Sequence, residues 1–168
     1  MVGYQFGEAL TAGPEGTVSL TRYDQELLHG SVGSSLGAYA NWRVTERISA
    51  RLRAGYVVYD FDDPDAAGLM ETPRTYYFHV GVEHRVNPFL TSSLEAGRDL
   101  QLSTESDYME LFTVQLALRW RVIERLDLTT YGVYEIGSQP AFLRITDGQI
   151  LFRPGEDWDR FGAGCALG

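Results

Sequence analysis

Charged side chains recur at alternate positions in several stretches of this sequence, each opposite a band of apolar residues. The regularly placed charges are Arg51, Arg53, Glu83, Arg85, Glu95, Asp99, Arg119, Arg121, Asp127 and Glu135. Alternate residues of an extended strand point to the same side of a sheet, so these side chains are expected on one face. Facing acids and arginines would either neutralise one another as ion pairs or line a charge-selective aqueous passage. The pattern alone leaves both interpretations open.

Two other strings resemble catalytic or cofactor-binding motifs, and each has a simpler structural interpretation. The string Gly33-Ser34-Ser35-Leu36-Gly37 fits a nucleophile elbow, but that motif needs a helix after the serine and none is expected here. The string from Gly162 to Gly168 resembles a dinucleotide loop, yet it lies within a predicted strand. The three histidines are scattered and match no zinc spacing. We therefore expect neither an enzyme nor a cofactor.

Four aspartates in one acidic loop are the only weak candidate for a metal site. They are Asp60, Asp62, Asp63 and Asp65. Hard cations such as Ca²⁺ prefer carboxylate oxygens, although the spacing is not that of an EF-hand. A solvated acidic loop is the simpler interpretation, and on an outer surface such a loop would bridge divalent ions to lipopolysaccharide.

Composition limits the classes of partner. A formal net charge of −9 argues against nucleic acid, which requires a basic surface. The single cysteine, Cys165, excludes an internal disulfide and a cysteine-rich metal site. No run of 18 or more apolar residues is present, so no transmembrane helix is predicted.

The chain is organised around a repeated hairpin corner. The three copies begin at Trp42, His84 and Trp120, and their spacing of about 40 residues predicts an array of β-hairpins. A turn is expected at 12–16, and a loop of about twenty residues is expected before the last strand. The predicted strands are 2–10, 17–24, 32–44, 48–59, 76–86, 90–100, 112–122, 126–136 and 160–167. The predicted fold is all-β, an antiparallel up-and-down meander of about nine long strands.

Strand length and aromatic placement favour a membrane. Strands of about 10 to 14 residues exceed the usual length in soluble sheets and match the span of a bilayer at a tilt. Tight corners alternate with long polar loops, as in bacterial outer-membrane barrels. Aromatic residues on the apolar face group near the corners (Trp42, Trp120) and near the loops (Tyr56, Tyr76, Phe112, Tyr134). We interpret these two groups as the aromatic girdles that lie at the two membrane interfaces of outer-membrane barrels. The sheet is therefore predicted to be part of a transmembrane β-barrel.

The three corners with their arms read WRVTERISARLRAGY, HRVNPFLTSSLEAGR and WRVIERLDLTTYGVY. In their alternating pattern and in the amino-acid sequence of the corner they resemble the repeated hairpins of the outer-membrane β-barrel porin families of Gram-negative bacteria. Some members of those families are encoded with exopolysaccharide export genes. The resemblance covers most of residues 31–136 and carries no catalytic signature, so it implies location and architecture more than substrate.

Function is expected to follow from that location. The first hypothesis is a porin-like pore or export conduit in the bacterial outer membrane, passing small solutes or exopolysaccharide while contacting lipid and lipopolysaccharide. The alternatives are a non-conducting structural or adhesive barrel with binding loops, and a soluble β-barrel or sandwich that acts as a binding module. Residues 1–168 are expected to form one β-barrel domain. It is expected to be incomplete at both termini, since Met1 is followed by neither a basic start nor an apolar core region. The oligomeric state stays open.

Overall fold

The computed structural model describes residues 3–21, 31–61, 74–103, 107–124, 126–139, 142–146 and 149–168. Within these ranges the chain is all-β and contains no helix. The strands are β1 (Tyr4–Phe6), β2 (Leu10–Thr21), β3 (Ser31–Arg43), β4 (Ile48–Phe61), β5 (Arg74–Asn87), β6 (Leu90–Ser103), β7 (Asp107–Ile123), β8 (Leu126–Gln139), β9 (Phe142–Thr146), β10 (Gln149–Arg153) and β11 (Glu156–Leu167).

Nine of these strands form one antiparallel sheet in the order β1-β2-β3-β4-β5-β6-β7-β8-β11. Every neighbour is the next strand along the chain except at the end, where β9 and β10 form a separate hairpin between β8 and β11. The predicted nine-stranded meander is thus confirmed. Within the described ranges β1 and β11 do not pair with each other, so the sheet has two open edges.

The start of the chain differs from the prediction of one strand over 2–10 and a turn at 12–16. The turn comes earlier, between β1 and β2, where Gly7 has a φ of 72° that favours glycine. Pro14 lies inside β2 and pairs with Ala38 of β3. A strand tolerates proline best near a sheet edge, and the described part of β1 pairs with β2 only as far as Ala12.

The end of the sheet also differs from the prediction. The segment expected to be a loop of about twenty residues contains the β9–β10 hairpin, and the last strand begins at Glu156 rather than at 160. The last strand begins earlier than predicted because β8 extends to Gln139, and Glu156 and the residues after it pair with β8. Two five-residue strands are too short to give a clear alternation in the sequence.

The repeated corners are closed by a polar side chain at the same place in the first two copies. Thr45 Oγ1 accepts hydrogen bonds from the backbone N–H groups of Arg47 and Ile48, at 3.1 and 3.0 Å. Asn87 Oδ1 accepts from Phe89 and Leu90, both at 2.8 Å. Such side-chain turns stabilise tight reversals of the chain.

The two ends of the sheet carry different connections. The repeated corners lie at one end, which we call the corner end. The connections after β2, β4, β6 and β8 lie at the opposite end, which we call the loop end.

The two faces of the sheet differ sharply. One registered row across β4 to β7 reads Leu52, Val80, Ala96 and Val114, and we call its side the apolar face. The neighbouring row reads Arg53, His79, Gly97 and Thr113, and its side is the polar face. Glu15 of β2 and Tyr77 of β5 touch across two intervening strands on the polar face, so the sheet curls toward that side.

Candidate functional site

The ten charged residues predicted to share a face do so. Register places all of Arg51, Arg53, Glu83, Arg85, Glu95, Asp99, Arg119, Arg121, Asp127 and Glu135 on the polar face. Because this face is concave, side chains from different strands approach one another across it. The polar face is therefore the candidate functional site.

Most of these charges form ion pairs, but the pairs toward the corner end are loose. Glu83 lies 4.0 Å from Arg51 and 3.7 Å from Arg85, and the two arginine side chains stay 65% and 69% exposed. Arg121 and Asp127 face each other across β7 and β8 at 3.5 Å. Such exposed pairs contribute about 0 to 1 kcal/mol each, so these side chains are available to a ligand.

The tightest contact on the polar face involves a residue that the sequence placed in a turn. Glu15 of β2 is buried, with only 6% of its side chain exposed. Its carboxylate accepts a hydrogen bond from Tyr77 Oη at 2.7 Å and from Arg53 Nε at 3.0 Å. We call these three residues the Glu15 cluster. It links β2, β4 and β5 across the concave side.

The Glu15 cluster depends on two glycines in one registered row. Glu15, Gly37, Gly55 and Tyr77 are successive partners across β2 to β5. A methyl group on Gly37 or Gly55 would lie 2.5 or 2.6 Å from Tyr77 Oη, so the tyrosine side chain lies across both glycines to reach the carboxylate. A ring laid over a strand glycine is a recognised way to stabilise a curved sheet.

The same arrangement recurs elsewhere on the polar face. A methyl group on Gly97 would lie 2.6 Å from His79 Nδ1, and one on Gly164 would lie 2.6 Å from the ring of Tyr131. The glycine positions could be found in the sequence, because the pairs Ala54-Gly55 and Ala96-Gly97 recur in two arms of the repeat. Identifying the rings that cover these glycines requires the strand register.

Between the cluster and β7 the polar face holds a groove of about 340 Å³. His79 Nε2 lies 3.0 Å from Asp99 Oδ1 on one wall. The other polar side chains lining the groove are Arg51, Arg53, Glu95, Gln101, Thr113 and Gln115. Mixed charges and amides of this kind suit a polar, hydrogen-bonding solute rather than an apolar one.

The apolar face carries the six residues predicted as girdles. Trp42 and Trp120 lie near the corner end, and Tyr56, Tyr76, Phe112 and Tyr134 lie toward the loop end. Leu116, at the middle of β7, is 51% exposed, and Val80 and Leu118 are exposed as well. No second layer of the described chain covers this face.

Two described arginines of the sheet lie on the apolar face near the loop end, the exposed Arg74 of β5 and the largely buried Arg98 of β6. Arg98 donates to Glu110 Oε2 at 2.6 Å and to Thr75 Oγ1 at 2.9 Å. Its guanidinium stacks 4.1 Å from the centre of the Tyr76 ring, and its side chain is 19% exposed. The charge is therefore neutralised locally, at the loop end of the sheet.

The two sequences that resemble a nucleophile elbow and a dinucleotide loop both lie within strands. Ser35 lies inside β3 and Gly162–Leu167 inside β11, so no strand-to-helix turn comes after either string. Asp60 belongs to β4, while Asp62, Asp63 and Asp65 lie outside the described residues. Among the residues that are described, no group of three potential metal ligands comes together.

No helix in the described part of the chain is long and apolar enough to cross a membrane. No protein-family model, curated protein or solved structure matches the chain. The resemblance to outer-membrane porin families thus stays a prediction from the repeated corners, and the geometry of the two faces is the remaining guide to function.

Proposed function

We propose that the sheet is part of the wall of an outer-membrane β-barrel whose polar face lines a passage for small solutes or exopolysaccharide. The observation that carries the proposal is the apolar face, which stays exposed across the sheet with no described element packed on it. Monomeric soluble proteins rarely expose apolar patches above a few hundred Å². Lipid is the partner that such a broad, convex apolar surface fits best.

The height of the apolar band supports this proposal. On β4 the apolar face runs from Ile48 to Val58 without a charge, and Asp60 comes next at the loop end. Ten steps of about 3.4 Å, tilted by about 40°, give a band about 26 Å high. Outer-membrane barrels have a band of about 25 Å bounded by aromatic girdles.

The concave polar face supports a water-filled interior. Its arginines, acids and amides project toward the inside of the curve, where charged side chains remain solvated. In large barrels such side chains line a channel and tune its selectivity. Conduction of polar solutes past the groove of Arg53, His79 and Thr113 is therefore the proposed activity.

A non-conducting barrel is the second candidate, and the Glu15 cluster favours it. The cluster spans four strands across the concave side, and small barrels of about eight strands fill their interiors with such contacts. In that case the loops would carry a binding or adhesive function. A soluble sandwich or barrel would need an external layer to cover Leu116, Val80 and their neighbours.

The three tryptophans provide a direct test of lipid contact. Trp42 and Trp120 lie on the apolar face, whereas Trp158 lies on the polar face over Gly137. The full chain would be refolded into vesicles whose acyl chains carry bromine, which quenches tryptophan fluorescence on contact. We expect strong quenching in the native protein and little in the variant Trp42→Phe/Trp120→Phe. Equal quenching of the two proteins would reject the lipid-facing assignment.

Conductance separates the two barrel hypotheses. The same protein would be inserted into a planar bilayer under an applied voltage. Stepwise conductance with a defined ion selectivity is expected for a pore. Stable insertion without any conductance, together with positive quenching, would reject the pore and favour the non-conducting barrel.

A further inference from the structure

Charge on the polar face is unevenly distributed along the strands. Toward the corner end lie Arg43, Arg51, Arg85, Arg119 and Arg121, opposed by Glu83, Glu95 and Asp127. Toward the loop end, among described side chains, lie Glu15, Asp99, Glu135 and Glu156, opposed by Arg53 and Arg160. The strand positions of the corner half are therefore net positive on a chain whose overall charge is −9, while the adjoining turns add Glu8, Glu46 and Glu124 against Arg47.

Two of the corner arginines have no acid partner in the described part of the chain. Neither Arg43 nor Arg119 forms an ion pair with any described carboxylate, and both are exposed. Arg51 and Arg85 share the single carboxylate of Glu83 at 4.0 and 3.7 Å, so their charge is only partly neutralised. This surface presents unsatisfied guanidinium donors to an anion.

The same half of the face offers a cavity and neutral hydrogen-bonding groups. A cavity of about 370 Å³ beside the first corner is lined by three arginines and two acids, together with Thr45, Ile48 and Ser49: the charged residues are Arg43, Arg47, Arg85, Glu46 and Glu83. Register places Thr91 directly between Arg85 and Arg119, and Thr129 on the other side of Arg119. Hydroxyls that alternate with guanidinium groups match a ligand that carries both carboxylates and hydroxyls.

An aromatic ring completes the surface. Tyr131 on β8 lies flat over Gly164 on the polar face and is exposed. A flat ring suits the apolar side of a sugar ring, and the guanidinium fork fits a carboxylate in bidentate geometry. From β3 to β8 the surface is at most about 24 Å wide, which matches several linked sugar units rather than a single ion.

We infer that the corner half of the polar face binds carboxylated sugar chains, with Arg43 and Arg119 as the main anion ligands and Tyr131 as a stacking surface. This assignment rests on the proposed function in so far as the polar face is open to solutes. It narrows the proposed cargo from polar solutes in general to acidic glycans. Binding itself does not require conduction.

The test uses the full chain folded in detergent micelles and hexagalacturonate as probe, measured by isothermal titration calorimetry at low salt. Maltohexaose is the neutral control and inorganic phosphate the small-anion control. We expect binding of hexagalacturonate only, with affinity that falls as salt increases. Loss of one charge-assisted hydrogen bond weakens binding by about tenfold or more, so Arg43→Gln/Arg119→Gln is expected to weaken it by about a hundredfold.

Arg74→Gln is the matched control, because Arg74 is exposed and lies on the apolar face at the loop end. It is expected to leave the affinity unchanged. Equal binding of maltohexaose, equal binding of phosphate, or an unchanged affinity in the double variant would overturn the inference. Failure of conductance with intact binding would reject the pore alone, and conductance without binding would reject the acidic-glycan site alone.

Discussion

Removing one hydroxyl should reveal how much the Glu15 cluster stabilises the sheet. Tyr77→Phe deletes the group that donates to Glu15 Oε1 at 2.7 Å and keeps the aromatic ring. The carboxylate is almost fully buried, so no bulk water replaces the lost donor. A hydrogen bond to a charged group contributes about 1.5 to 3 kcal/mol, and we expect a loss of that size in the free energy of unfolding.

Tyr131→Phe is the matched control, since Tyr131 also lies over a glycine on the polar face but its hydroxyl makes no hydrogen bond among the described residues. Its effect should stay within about 0.5 kcal/mol. Urea unfolding of both variants in lipid vesicles, monitored by tryptophan fluorescence, gives the comparison. Equal destabilisation by the two substitutions would refute the reasoning, because it would assign the effect to the loss of any tyrosine hydroxyl on this face and not to the bond with Glu15.

Three further changes probe other contacts. Gly55→Ala forces a methyl group against the backbone carbonyl of Leu36, at 2.5 Å, as well as against Tyr77 Oη, and should lower stability by about 1 to 3 kcal/mol. Gly81→Ala, where the nearest atom is 3.8 Å away, should be neutral or slightly stabilising in the same unfolding assay. Glu110→Gln leaves the half-buried Arg98 without its anion and should lower the unfolding midpoint in urea, with no effect on conductance. Leu116→Arg should destabilise the vesicle-inserted protein by about 2 to 4 kcal/mol, and a negligible cost would count against lipid contact.

The sheet was predictable because its signals are local. Alternation along each strand assigns every side chain to a face without knowledge of its neighbours, so the ten charges and six aromatic residues fell on the expected sides. The corners were predictable for the same reason, since Thr45 and Asn87 close turns of two or three residues.

The Glu15 cluster was not predictable, because it depends on relations between distant strands. Glu15 lies between Pro14 and Gly16, a composition typical of turns, and only its pairing with Gly37 shows that it lies in a strand. The partnership with Tyr77 further requires the curvature of four strands. The early turn at Gly7 and the β9–β10 hairpin were missed because short strands carry too little periodicity.

The two open edges of the sheet set an order of assembly. About half of the backbone amides and carbonyls of β11 face outward with no partner in the described chain. Each such group would cost several kcal/mol if it entered hydrocarbon without a hydrogen bond. In the proposed barrel, these edges therefore acquire complementary strands before or during entry into the bilayer, which makes insertion and edge closure a single coupled event.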